Sequence, residues 1–299
     1  MRRMIIWIKA MRASFFSASL IPVMVGTALA SRTVKIHPGL FCLALLVVVA
    51  NHAGANFIND YYDALGSDRI NRQITPFSGG SRIIQQGLLP RAAFGRGTIV
   101  AYVIGLGTAL GLALACRESL LFILALAGAL LGIAYSIPFC NGMGRGWGEL
   151  ALGIAFGPLA VMGSFLAQTG ILNREAFWAG IPVAFLIMGV LVLNQFPDRE
   201  ADRQAGKRGL IVRCGANRGV WVYLGIISLA YLALFVGVLR RIFPAKILYS
   251  YITLPLAIWI VLKLKRYYNQ IPELIPVLVG NIGLHLLTGI LICLGLWWR

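Results

Sequence analysis

Four polar residues, His52, Asn56, Asn59 and Asp63, follow one another at steps of four, three and four. A helix through them therefore carries all four on one face. In the other half of the chain Asn194, Asp198 and Asp202 recur at steps of four and make a second stripe of the same polarity. Charges within a bilayer are costly, so such stripes usually face a wet cavity, and a single cavity would serve both. Carboxylates one helical turn apart repel each other when nothing lies between them, and a cation removes that penalty. Mg²⁺ commonly takes one or two carboxylates and completes its octahedron with waters and phosphate oxygens. Two separated Asp pairs could thus hold a diphosphate through Mg²⁺. The sequence lacks the paired Cys or His that zinc would require.

The flanking residues suit an anionic ligand. Arg69, Arg72 and Arg82 follow the first Asp group, and Arg199, Arg203, Lys207 and Arg208 the second. Charge-assisted donors of this kind grip nonbridging phosphate oxygens. The stretch Pro76-Phe77-Ser78-Gly79-Gly80-Ser81 offers either a nest of backbone amides for an anion or a plain turn.

The elements that must position these groups are membrane helices. Of 299 residues 59% are hydrophobic and 12% charged, and the charges gather between long apolar runs, a pattern no single soluble core could bury. Nine apolar segments stand out, at about 13–30, 39–59, 98–115, 119–137, 149–168, 177–197, 219–239, 246–263 and 274–298. They predict an all-α polytopic bundle of about nine transmembrane helices, with kinks at Pro22, Pro158, Pro182 and Pro255. Counting Lys and Arg on alternate sides puts 19 on the side of the amino terminus and 8 on the other. The amino terminus is therefore expected in the cytoplasm and the carboxyl terminus outside. The basic stretch Met1 to Arg12 reads as an anchor for the first span and not as a cleaved signal. The net charge of +17 is accounted for by the membrane and not by nucleic acid, which would need Lys and Arg on a water-exposed face. The five cysteines are far apart and receive no function. Six of the ten acidic residues, Asp60, Asp63, Asp68, Asp198, Glu200 and Asp202, fall in two cytoplasmic segments, about 59–97 and 194–218.

At these motifs the sequence resembles the UbiA-type superfamily of intramembrane prenyltransferases. Asn59-Asp60-Tyr61-Tyr62-Asp63 is similar to its first motif, and Asp198-Arg199-Glu200-Ala201-Asp202, followed by Gly206-Lys207, to its second. The similarity runs from Arg12 through Tyr135-Ser136-Ile137-Pro138 to about Gly215. Gly66-Ser67-Asp68 and Pro76-Phe77-Ser78-Gly79-Gly80 are most like the 1,4-dihydroxy-2-naphthoate polyprenyltransferases of menaquinone synthesis. The resemblance implies a single prenyltransferase domain over 1–299, in which Asn59, Asp63, Asp198 and Asp202 coordinate Mg²⁺ and hold an allylic prenyl diphosphate. Lys207 would contact the diphosphate, and Arg12, Tyr135 and Ser136 the acceptor or diphosphate pocket; Arg72, among the flanking basic residues, is a further substrate-binding candidate. The family's first motif commonly has an acid four residues after the position of Asp63. Here Ser67 stands at that position and the acid is Asp68, so whether Asp68 reaches the metal stays open.

The chemistry implied is ionisation of the allylic diphosphate followed by alkylation of an electron-rich ring, with loss of CO₂ when that ring is dihydroxynaphthoate. The long isoprenoid would leave sideways into the lipid bilayer. The expected location is a bacterial or archaeal plasma membrane, with the site facing the cytoplasm. A hydroxybenzoate, a lipid glycerol phosphate or a porphyrin would be alternative acceptors. An ion-coupled transporter is a rival of another class, although transporters place broken helices near the midplane. His285 and Glu149 read as internal hydrogen-bonding residues.

Overall fold

The computed structural model describes residues 2–137 and 146–297. Pro138 of the Tyr135-Ser136-Ile137-Pro138 stretch, Cys140, one of the five cysteines, and the carboxyl-terminal Trp298-Arg299 lie outside the described residues. Most of the described residues are helical, and none of them lies in a β-strand. We number the helices α1 Arg2–Ala10, α2 Ser17–Ala30, α3 Pro38–Asp63, α4 Ser67–Ile70, α5 Arg91–Cys116, α6 Leu120–Ser136, α7 Gly148–Thr169, α8 Arg174–Gln204, α9 Leu210–Cys214, α10 Ala216–Leu239, α11 Ala245–Tyr267 and α12 Ile271–Trp297.

Eight of these, including the 3₁₀ lead-in Ala13–Phe15 with α2, are long and apolar enough to cross a membrane; α6 is a shorter apolar helix of 17 residues. Together they account for the nine expected segments. Large apolar side chains stay exposed on the outer faces, Leu114 at 71% and Ile252 at 72% among them, as lipid-facing surfaces require.

Two helices run past their apolar stretches. Helix α3 begins at Pro38, preceded by His37, whose ring accepts from Leu40 N, and continues to Asp63. Helix α8 starts with Asn173 capping Ala176 N at 2.9 Å and continues to Gln204. Each carries its polar stripe out of the apolar layer on an unbroken helix.

Close approach of backbones shapes the bundle centre. In α7 the residues Ala155–Leu159 form one π-helical turn around Pro158, and Gly180 of α8 lies so near that a Cβ there would meet Pro158 Cα at 2.5 Å. Small residues at such crossings replace hydrophobic driving force by dense packing, as membrane helices need. Pro255 sits where α11 changes from 3₁₀ to α-helix. The amino-terminal α1 packs on the bundle, with Trp7 against Phe57 and Phe94 at ring separations of 5.6 and 6.5 Å.

Candidate active site

Both polar stripes open on one cavity of about 150 Å³. From α3 it is lined by His52, Asn56, Asn59 and Asp63, and from α8 by Asn194, Asp198 and Asp202. Arg12, Asp68, Tyr135 and Lys207 add to the polar part of its wall, together with Ser67, Ser78 and Gln195.

Lys207 joins the two halves. Its Nζ lies 2.7 Å from Asp63 Oδ2 and 3.6 Å from Asp202 Oδ1, and it donates to Ser67 Oγ at 2.9 Å. Burial by itself would lower the pKa of this ammonium, but Asp63 and Asp202 outweigh burial and raise it. Asn59 Nδ2 donates to Asp63 Oδ2 at 3.1 Å, while Asn59 Oδ1 accepts from Arg12 Nη2 at 3.2 Å.

Arg12 occupies the corner between α1 and α2 with a left-handed φ of 53°. It forms an ion pair with Asp60, whose second oxygen accepts from Ser81 N at 3.1 Å. Asp60 is thereby turned away from the stripe and acts as a counter-ion. Burial opposes the Arg12 charge, yet Asp60 and Asp68 more than compensate and raise its pKa. Its Nε is buried without a partner among the described residues.

The segment 71–82 lines the cavity with Phe77, Ser78, Gly79 and Gly80 and is clasped to Asp198. Asn71 Nδ2 donates to Asp198 Oδ1 at 2.7 Å and Gly79 N to Asp198 Oδ2 at 3.0 Å. Gly79 and Gly80 both take positive φ, 76° and 74°, and a Cβ on Gly80 would collide with the Asp68 carboxylate. The Gly79 and Ser81 amides thus hold the aspartates of the two motifs.

Asp68 also faces the cavity. Helix α3 stops at Asp63 and the short α4 begins after a non-helical Gly66 (φ −104°, ψ −122°), so the helical phase of the α3 stripe does not carry through to Asp68. Burial, and next the charge of Asp63, push the Asp68 carboxyl up to about 6. Ser136 is buried against α3, donating to Ala55 O at 3.3 Å and Gly132 O at 3.0 Å, and does not line the cavity. Arg72 is exposed and stands outside the cavity wall. Glu149 is buried and accepts from Gln195, and buried His285 is likewise away from the cavity.

A second, apolar pocket of about 80 Å³ continues from the first between α3, α5, α6 and α7. Four residues, His52, Ala55, Leu152 and Phe156, belong to the walls of both. Asn71 and Phe156 are site residues that the sequence does not single out. Phe156 lies within the π-turn of α7 and lines both pockets.

The sequence profile of the UbiA prenyltransferase family matches residues 19–296. The chain belongs to this family. It is an integral membrane prenyltransferase. It is 29% identical over 297 residues to the UbiA prenyltransferase domain-containing protein 1 of Xenopus tropicalis, covering 96% of this chain and 81% of that protein. It is 27% identical over 300 residues to the 2-carboxy-1,4-naphthoquinone phytyltransferase of Synechocystis, covering 98% and 93%. Its fold matches a UbiA homolog from Archaeoglobus fulgidus bound to GPP and Mg²⁺ with a TM-score of 0.60 at 18% identity, covering 96% of this chain and 99% of that one.

Proposed function

We propose that this prenyltransferase moves a polyprenyl group from an allylic prenyl diphosphate to 1,4-dihydroxy-2-naphthoate in an Mg²⁺-dependent reaction. The observation that carries this reading is the continuity of a charged cavity with an apolar pocket through a shared wall. A molecule with a diphosphate head and a hydrocarbon tail is complementary to both at once.

The charge balance argues for the metal. Asp63, Asp68, Asp198 and Asp202 line the cavity, with Lys207 and the Arg12–Asp60 pair as the balancing groups. Formal negative charge exceeds positive by three, so a diphosphate would be repelled unless cations came with it. Asp63, Asp198 and Asp202, with the Asn59 carboxamide, would hold Mg²⁺, and Asp68 shares their cavity. Among the described residues no group of three or more His, Cys, Asp or Glu is placed to hold a metal ion by itself, so a bound Mg²⁺ would need waters and substrate oxygens in its shell. Mg²⁺ bound here would neutralise diphosphate oxygens and assist departure of the leaving group.

The chain's own residues do the rest. Lys207 and the Arg12 guanidinium, both in the cavity wall, offer charge-assisted donors to the diphosphate. The apolar pocket aligns the allylic end and keeps water from the cation. The name of the Synechocystis relative supports a carboxylated naphthalene ring as acceptor. The reacting form would be the dihydroxy one, because an electrophilic allyl needs an electron-rich ring. The lysine and arginine asymmetry supports a cytoplasmic site and amino terminus, and the site uses both halves of one catalytic unit over 1–299.

The test is incubation of detergent-purified protein with a prenyl diphosphate, Mg²⁺ and either dihydroxynaphthoate or hydroxybenzoate, followed by mass spectrometry of extracted lipids. A prenylated naphthoquinol lacking the carboxylate, lost on addition of EDTA, is expected. Product from hydroxybenzoate alone would overturn the acceptor assignment.

A further inference from the structure

With the diphosphate in the polar cavity and the tail in the apolar pocket, the carbon that changes bonds has to lie at the boundary between them. The boundary wall consists of His52, Ala55, Leu152 and Phe156. Only one of these can accept a proton. We propose that His52 is the general base that takes the acceptor's hydroxyl proton, an inference that rests on the reaction proposed above.

The ring is held for that role. Its Nδ1 lies 2.9 Å from Ser19 Oγ of α2, and Ser19 is fully buried. When Nδ1–H donates to Ser19, the lone pair is left on Nε2. Nε2 makes no protein hydrogen bond among the described residues, nor is it one of the buried atoms without a partner, so it faces the open volume. Phe156 packs against the ring at 4.7 Å between centroids and 70° between planes, and Phe16 at 5.5 Å and 59°. Phe156 lies within the π-turn of α7, and such turns often mark functional positions.

The aspartates are poorer candidates for the base. Asn59, the first member of the metal set, is seven residues further along α3, roughly 10 Å at 1.5 Å per residue. The cation bound by that set would also lower the basicity of its carboxylates.

In the step itself, Nε2 accepts the proton of the hydroxyl next to the attacked ring carbon. The electron pair of that O–H bond becomes a C=O π bond, and the ring carbon bonds to the allylic carbon. The C–O bond to the diphosphate breaks, its electron pair leaving with the diphosphate. If the attacked carbon bears the carboxylate, loss of CO₂ returns an electron pair to the ring. The oxygen then recovers the proton from His52, giving the quinol with no net exchange of protons. If the attacked carbon bears hydrogen, that hydrogen leaves as a proton instead. Ser19 is a positioning residue, fixing the tautomer without touching substrate.

The experiment uses the full-length purified enzyme with prenyl diphosphate, Mg²⁺ and dihydroxynaphthoate. His52→Gln should lower kcat about a hundredfold or more, the usual contribution of a general base, with KM for the prenyl diphosphate within about twofold. His52→Ala should recover at least about tenfold when imidazole is added. A ring-fluorinated acceptor, whose hydroxyl is more acidic, should narrow the deficit of His52→Gln. Ser19→Ala should lower kcat about tenfold at unchanged KM, and Ser19→Thr should restore it. Retention of kcat within about threefold in His52→Gln would overturn the proposal, as would a deficit that neither imidazole nor the acidic acceptor relieves. If the unaltered enzyme makes no product from dihydroxynaphthoate, the acceptor assignment fails by itself. The same comparisons, made with the phenolic acceptor it does use, then decide the role of His52.

Discussion

Asp198 is both a candidate metal ligand and the clasp for segment 71–82, and these roles can be separated. Its two oxygens accept from Asn71 Nδ2 at 2.7 Å and Gly79 N at 3.0 Å. Hydrogen bonds to a charged group are worth about 1.5–3 kcal/mol each, and the lower end applies where cavity water can replace a lost partner. Asp198→Ala removes both, about 3 kcal/mol, and should raise the open population of segment 71–82 about a hundredfold. Asn71→Ala removes one and should raise it about tenfold. Because the two variants share a bond, the double variant should match Asp198→Ala instead of adding to it. Hydrogen exchange of peptides covering 71–82, in the purified protein without metal, reads the open fraction directly. Unchanged protection in Asp198→Ala would refute the clasp, and additive effects would refute a shared bond. Asp198→Asn is a stricter version. Its carboxamide presents NH₂ to one of two existing donors, so near-isosteric size should not protect it.

Asp63→Ala should abolish transfer while the protein stays folded and inserted, since it removes a candidate metal ligand and no packing element; full activity would dismiss the metal assignment. Lys207→Met should cost about 10²–10³ in kcat, the range for losing one donor to developing charge, and should bind Mg²⁺ more tightly because a competing cation is gone; calorimetry with Mg²⁺ alone checks the second effect. Asp68, raised to about 6, retains in the fold a proton that the unfolded chain releases near 4. In EDTA, stability should therefore fall as pH rises from about 4 to 6, by on the order of 3 kcal/mol. The charges facing it are Asp63, Asp60, Arg12 and Lys207. Asp68→Asn should flatten this slope in melts recorded across that window.

The helices and both stripes were legible because each depends on short-range periodicity. Apolar runs marked the spans, and steps of three and four placed His52, Asn56, Asn59 and Asp63 on one wall. What escaped the sequence depends on where the chain turns. The spacing from Asp63 to Asp68 left the role of Asp68 open, but α3 ends at Asp63 and α4 restarts after Gly66, so helical phase does not extend that far. Asp60, grouped with the other acids by composition, meets Arg12 and Ser81 across long sequence separations. Arg72, one of several basic residues beside a motif, stands outside the cavity because segment 71–82 turns Asn71 inward instead. No local rule distinguishes those neighbours.

The same geometry explains why the charged residues sit at the ends of membrane helices and not in their middle. A diphosphate and its cation resist leaving water, whereas the isoprenoid tail resists entering it. Extending α3 and α8 beyond their apolar stretches lets Asp63, Asp198 and Asp202 meet the charge where desolvation is cheapest. The apolar pocket lies directly below. Bond cleavage is then confined to the short wall shared by the two compartments, and a base placed there is near the ring but away from the metal. His52 is the member of the α3 stripe that meets this requirement, one turn deeper than Asn56 and still on the same face. The spacing that aligns metal ligand and base is thus a property of one straight helix. An insertion of a single residue between His52 and Asn59 would rotate the two apart by about 100°, and should abolish transfer without unfolding α3.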